Sequence, residues 1–141
     1  MSLALASIPD DVTRKVRSFK LSQSKTNCAI ICKINAQSMA VEVEKEINDV
    51  SIDELPEELA PSEPRYVLLS YVLNHDDSRI SYPYCLLFVS PRSSSPDHKM
   101  MYAGTMHHFI DVSQVTKVFE VQDLDDITDE WLQEEMHKKG Y

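Results

Sequence analysis

Glycine is nearly missing from this chain: Gly104 and Gly140 are the only two in 141 residues. A P-loop or a Gly-rich dinucleotide fingerprint needs several glycines for tight turns and close approach of backbone to phosphate, so nucleotide-driven catalysis is disfavoured. A nucleophile elbow fails for the same reason, because it flanks its serine with glycine on both sides. Cysteine is scarce too, and Cys28, Cys32 and Cys85 make an odd number, as expected of a reducing compartment and an intracellular protein. On one strand face Cys28 and Cys32 would stand ~13 Å apart, too far for a shared metal or a disulfide. Cys85 lies in the most apolar segment, where a thiolate is poorly stabilised, which argues against a thiol enzyme. Positive charge is in deficit, with 14 Lys and Arg against 23 Asp and Glu and a net charge of -9, so nucleic acid and anionic membranes are poor partners. No run approaches the roughly 20 apolar residues of a membrane span, and no basic cluster precedes an apolar run at the start, so neither a span nor a leader is predicted.

What is present suits one ordinary domain: 43% of the residues are apolar, and a chain of this length buries about two-thirds of its unfolded surface. Val12, Val16 and Phe19 recur at helical spacing behind Pro9, Asp10 and Asp11, predicting a helix over 9–19 with Arg14, Lys15 and Arg17 on its polar side and Lys20 just beyond. Residues 29–35 and 39–44 read as a hairpin with one partly wet face, Ile30, Cys32 and Ile34 sharing one side and Met39, Val41 and Val43 another. Ser51 and Glu54 resemble a capping box cut short by Pro56, which predicts a short or kinked helix over 51–59. Segments 66–73 and 84–89 are apolar on both faces and read as central strands joined through a polar loop at 74–79. Ser95 and Pro96 open a longer helix to about residue 110, a strand follows at 117–121, and Thr128 caps a last helix stapled by Ile127 and Leu132. The expected order is α-β-β-α-β-β-α-β-α around one mixed sheet, an α/β (α+β) domain spanning 1–141.

Chemistry remains thin. The five histidines are scattered, and adjacent His107 and His108 point about 100° apart on a helix, unlike the i, i+4 pair of a helical zinc site. Asp76 with Asp77 and Asp125 with Asp126 read as solvated turn residues without a hydrophobic pocket to raise a carboxyl pKa. The surface is more informative. Tyr102, Thr105, Met106, Phe109 and Ile110 form the inward arc of the long helix, leaving Met100 and Gly104 outward between Lys99 and His107, as on a docking helix. Arg14, Lys15, Arg17 and Lys20 are the one concentration of positive charge.

The run Lys99-Met100-Met101-Tyr102-Ala103-Gly104 resembles the long-helix motif of the glia maturation factors, and its Met-Tyr-Ala core is similar to the wider cofilin class. Pro64-Arg65-Tyr66-Val67, His75-Asp76-Asp77-Ser78-Arg79, Ser81-Tyr82-Pro83, Thr116-Lys117-Val118-Phe119-Glu120 and Glu130-Trp131-Leu132-Gln133-Glu134 resemble the same family in the same order, over essentially the whole chain. The resemblance implies a single actin-depolymerising-factor homology domain with a five- to six-stranded mixed sheet between helices. It also implies a non-enzymatic, cofactor-free, monomeric cytoplasmic protein of the cortical actin cytoskeleton, with the nucleus as a second location. Such a protein binds the actin-related protein 2/3 complex, inhibits its nucleation of actin and promotes debranching of filaments. By the same resemblance a first contact surface comprises Ser2, Lys20, Lys99, Met100 and Met101; Arg17 of the basic group and outward Gly104 are counted with it, and the position and chemistry of Ser2 open it to phosphorylation. A second comprises His75, Asp76, Asp77, Arg79, Glu134 and Glu135 and touches daughter-filament actin weakly.

Three positions depart from the pattern: Ser22 stands where relatives often carry a basic residue, and His107-His108 replaces a more cationic or polar pair. A cofilin-like module that binds and severs bare filaments is the alternative. Cofilins use basic residues on the second surface, whereas the last helix here carries Asp129, Glu130, Glu134 and Glu135, the wrong charge for the acidic side of actin.

Overall fold

Five strands form one mixed sheet at the centre of the computed structural model, which describes residues 6–22 and 24–140. In chain order the strands are β1 (Cys28–Asn35), β2 (Ala40–Asn48), β3 (Arg65–Ser70), β4 (Leu73–Asn74), β5 (Ile80–Ser81), β6 (Tyr84–Val89) and β7 (Lys117–Val121). The main sheet runs β2-β1-β3-β6-β7, with β4 and β5 paired separately. Its neighbours are antiparallel except β6 and β7, which are parallel. A parallel neighbour requires a crossover, and helix α2 (Pro96–Ser113) supplies it.

Strand alternation sends two apolar sets to opposite sides. Ile30, Cys32, Tyr66, Leu68, Leu86 and Phe88 meet Val12 and Val16 of α1 (Asp10–Leu21) and Tyr102 and Phe109 of α2. On the other face Ala29, Ile31, Val67, Leu69, Cys85 and Leu87 meet Leu55 and, from helix α3 (Asp129–Lys138), Leu132 and Met136. Tyr66 anchors the first layer: its ring stacks on Phe109 with centroids 4.6 Å apart, and its hydroxyl donates to the Tyr102 carbonyl.

The register of β1 against β2 slips between Ile31 and Cys32: Ile31 faces Lys45 but Cys32 faces Val43, so Glu44 is the extra residue of a bulge. That residue meets Arg65, whose Nε and Nη2 donate to the two Glu44 carboxylate oxygens at 3.1 and 3.3 Å, while Nη1 donates to the Pro64 carbonyl at 2.8 Å. Glu63 completes the cluster at 3.2 Å from Nη2.

Several expected elements are corrected in detail. Pro9 takes the N-cap position instead of the first turn, and α1 continues to Leu21, which brings Lys20 into its last turn. Strand β1 is internal and covered on both faces through Cys32, so the wet positions belong mostly to β2. Met39 lies in the turn before β2 at φ 51°. Residues 51–59 yield only a 3-10 helix, Leu55–Glu58, without a side-chain cap, since Pro56 removes a donor within the first turn. The apolar run 66–73 breaks after Ser70, where the Tyr71 amide turns to the Pro83 carbonyl and the Val72 amide to Asn27 Oδ1. Helix α2 runs three residues past the expected end and closes on Gln114 in the left-handed region at φ 58°. A further 3-10 helix, Leu124–Asp126, lies in the acidic stretch. Both expected caps form: Ser95 Oγ accepts from the His98 amide at 3.2 Å, and Thr128 Oγ1 accepts from the Trp131 amide at 3.1 Å.

Candidate interaction surfaces

The inward arc of α2 fixes what the helix shows outside. Tyr102, Thr105 and Phe109 are buried, with Met106 and Ile110 partly buried against the same layer. Met100 consequently faces solvent at 49% exposure, one of few large apolar side chains among the described residues to do so, and Gly104 follows one turn later at an intermediate position. Met101 differs: it turns inward and packs partly against the core.

Helix α1 lies beside α2 on the same sheet face, and one side chain fastens the pair. Lys20 Nζ donates to the backbone carbonyl of Gln114 at 3.4 Å and to its Oε1 at 3.3 Å. A cation here also meets the negative end of the α2 dipole. Lys99 Nζ donates to the Arg92 carbonyl at 2.8 Å, which holds it over the loop that leads into α2. Lys15 is engaged with Glu46 at 2.9 Å, while Arg14 and Arg17 are exposed. Of the first set, Arg17 and Lys20 thus lie on α1 and Lys99, Met100, Met101 and Gly104 on α2, two helices that cover the same sheet face, with Met101 turned inward. Ser2 lies outside the described residues. The described N-terminal segment does reach this region, for the Ala6 amide donates to Thr105 Oγ1 at 3.2 Å and Ser7 bridges to Ala40 beside β2.

Of the second set, His75, Asp76, Asp77 and Arg79 lie in the turn of the β4–β5 hairpin, and Glu134 and Glu135 lie on α3. The Arg79 guanidinium donates to Asp77 at 2.6 Å and holds that carboxyl below its usual pKa. Ser78 takes the left-handed region at φ 71°, and the His75 ring bonds Ser81 Oγ at 2.8 Å. The hairpin touches α3 edge to face, His75 and His137 lying 6.1 Å apart. On α3 Glu134 is exposed, and Glu135 pairs with Lys138 at 3.4 Å. His137 was missing from the expected set: only the fold brings it against a loop some sixty residues earlier.

Burial pushes the Cys32 thiol up to about 12 and the Cys85 thiol further still. No cluster of His, Cys, Asp and Glu able to hold a metal ion occurs among the described residues.

A family model described as cofilin/tropomyosin-type actin-binding protein matches residues 5–137. The chain is 38% identical to human glia maturation factor beta over 135 residues, covering 96% of this chain and 95% of that protein. The chain belongs to the glia maturation factors. The Drosophila melanogaster glia maturation factor is 39% identical over 128 residues, 91% of this chain and 93% of the relative. In three dimensions the solution structure of the Caenorhabditis elegans glia maturation factor superposes with a TM-score of 0.82 at 41% identity, covering 95% of this chain and 97% of that one. A Streptomyces griseoflavus cofilin superposes at 0.80 with only 18% identity, over 94% of this chain and 98% of the other, and shows the fold alone. The actin-depolymerising-factor homology fold expected from sequence is therefore the fold observed. Both α1 and α3 open on acidic residues, Asp10 and Asp11 in one and Asp129 and Glu130 in the other, and close on basic ones, Lys20 and His137 with Lys138.

Proposed function

We propose that this chain is a non-enzymatic regulator of actin that binds the actin-related protein 2/3 complex, inhibits nucleation and promotes debranching of filaments. The observation that carries the reading is the face of α2 on which exposed Met100 stands beside Gly104. Lys99 is held over the preceding loop, and Lys20 ties α1 to the far end of the helix. An exposed polarizable side chain beside a residue without a side chain suits insertion into an apolar cleft, and the cations around it suit an acidic rim. Differential affinity for branched and free states would supply the work. The second surface, His75, Asp76, Asp77, Arg79, Glu134 and Glu135, would meet the first actin subunit of the daughter filament. Its carboxylates disfavour tight binding to the acidic side of actin.

The test is paired binding to the purified complex and to bare filaments, with debranching followed by microscopy. Wild type is expected to bind the complex saturably and bare filaments poorly. Met100→Glu and Lys20→Glu should each weaken complex binding about tenfold or more at unchanged circular dichroism. Wild-type debranching by both variants would remove the first surface from the proposal, and binding to bare filaments alone would favour the cofilin-like severing reading. Phosphorylation of Ser2 would add about two negative charges next to this surface, so Ser2→Glu is expected to weaken the same binding, and an unchanged Kd would discard that regulation.

A further inference from the structure

Beside the last turn of α1, next to β3 and β6, the surface folds into a half-open cavity of about 380 Å³. That volume lies within the roughly 300–1,000 Å³ typical of ligand sites. Phe19, Tyr82 and Tyr84 supply aromatic lining, Lys20 and Lys25 supply charge, and serine hydroxyls complete it. The Phe19 and Tyr84 rings are 6.2 Å apart and tilted, and the Tyr84 hydroxyl is anchored by donation to the Ser113 carbonyl at 3.1 Å. Tyr82 is 47% exposed, and Leu21, adjoining Lys20 in sequence, is 79% exposed. Apolar groups left uncovered together with fixed aromatic rings mark a place where another surface is buried.

Charge selects the occupant. Among the described residues no carboxylate lines the cavity in a chain whose net charge is -9, so two lysines in an aromatic recess create a local positive field opposite to that of the molecule. A lipid surface is disfavoured, because a bilayer presents anionic charge over a plane, engages clusters of about four to eight cations and would meet the acidic remainder of the chain. We propose that the cavity binds an acidic linear segment of a partner protein. A large apolar side chain enters among Phe19, Tyr82 and Tyr84, and flanking carboxylates meet Lys20 and Lys25. The cavity shares only Lys20 with the first surface described above, and its occupation does not require that surface to engage the actin-related protein 2/3 complex.

The test uses the full chain and a fluorescein-labelled peptide carrying one tryptophan between runs of aspartate, read by anisotropy. Two control peptides replace the tryptophan by glycine or the aspartates by asparagine, and vesicles containing phosphatidylserine form a separate arm. Saturable binding at one peptide per chain is expected. It should weaken about tenfold in Lys25→Glu and in Tyr82→Ala, and for both control peptides. Lys25 and Tyr82 are exposed or half-exposed, so both variants should keep the wild-type melting temperature. Amide chemical shifts of Tyr84 and Ser70 should move on titration, and Met100→Glu should leave peptide binding unchanged. Absence of saturable binding, equal binding by either variant, or equal binding of the glycine peptide would overturn the proposal. Vesicle binding that depends on Lys25 and Tyr82 in place of peptide binding would overturn it in favour of a lipid surface.

Discussion

Arg65 brings a guanidinium into the sheet with only 7% of its side chain exposed, and Glu44 at the bulge, Glu63 and the Pro64 carbonyl surround it. Removing one partner of a buried pair leaves the other charge without compensation, whereas replacing both with apolar groups is often close to neutral. Arg65→Ala should therefore lower the unfolding free energy in urea by about 2–3 kcal/mol. The double variant Arg65→Met with Glu44→Leu should stay within roughly 1 kcal/mol of wild type. Thiol chemistry gives a second expectation at this scale. Burial raises Cys32 and Cys85 and also acts on Cys28, but there hydrogen bonds with Ser24, the Asp49 backbone and Thr26 outweigh it and lower the pKa. Iodoacetamide on the native chain should modify Cys28 before the other two, with Cys85 untouched until unfolding, as mass spectrometry would show. Single residues were legible in sequence where periodicity decides their side: Met100 out, Tyr102 and Phe109 in. The Arg65 cluster was not, because a bulge leaves no local trace and shows itself only when β1 and β2 are aligned.

Helices α2 and α3 both start on a hydroxyl cap, and each cap satisfies an amide that the helix leaves without a partner. Ser95→Ala and Thr128→Ala should each lower stability by about 1 kcal/mol. Because the caps serve helices on opposite faces of the sheet, the double variant should show the sum of the two effects in denaturation. These starts could be read directly, since serine before proline and threonine before an acidic pair act within one turn. Residues 51–59 could not: Ser51 and Glu54 fit a capping pattern, but Pro56 leaves room for a 3-10 helix alone. Likewise, the apolar continuity of 66–73 conceals the exit at Ser70. Tyr71 stays buried by leaving the main ladder and reaching Asp129 at 2.6 Å through its hydroxyl, a contact set by the distant start of α3.

At the scale of the whole molecule, burial raises the pKa values of Tyr66, Tyr71, Tyr84 and Tyr102, reinforced at Tyr71 by its bond to Asp129. The folded chain therefore holds protons that the unfolded chain has already released at alkaline pH. Their contribution to stability is complete below the unfolded tyrosine value of about 10 and is lost as pH rises above it toward the folded values. Urea midpoints attributable to these groups should be level from pH 7 to 9 and fall beyond about pH 10. Most tyrosinate absorbance should appear together with unfolding. The separation of β4 and β5 from the main sheet has a consequence in time. Strand β3 is bonded on both edges and covered on both faces, whereas the hairpin is held by two residue pairs and bears a left-handed Ser78. Exchange of amide protons with heavy water should accordingly be layered: fast and local at Asn74 to Ser81, and dependent on global unfolding at Val67 and Leu68. The hairpin would then reshape on contact at little cost to the rest of the fold, giving one molecule a yielding end and an unyielding centre.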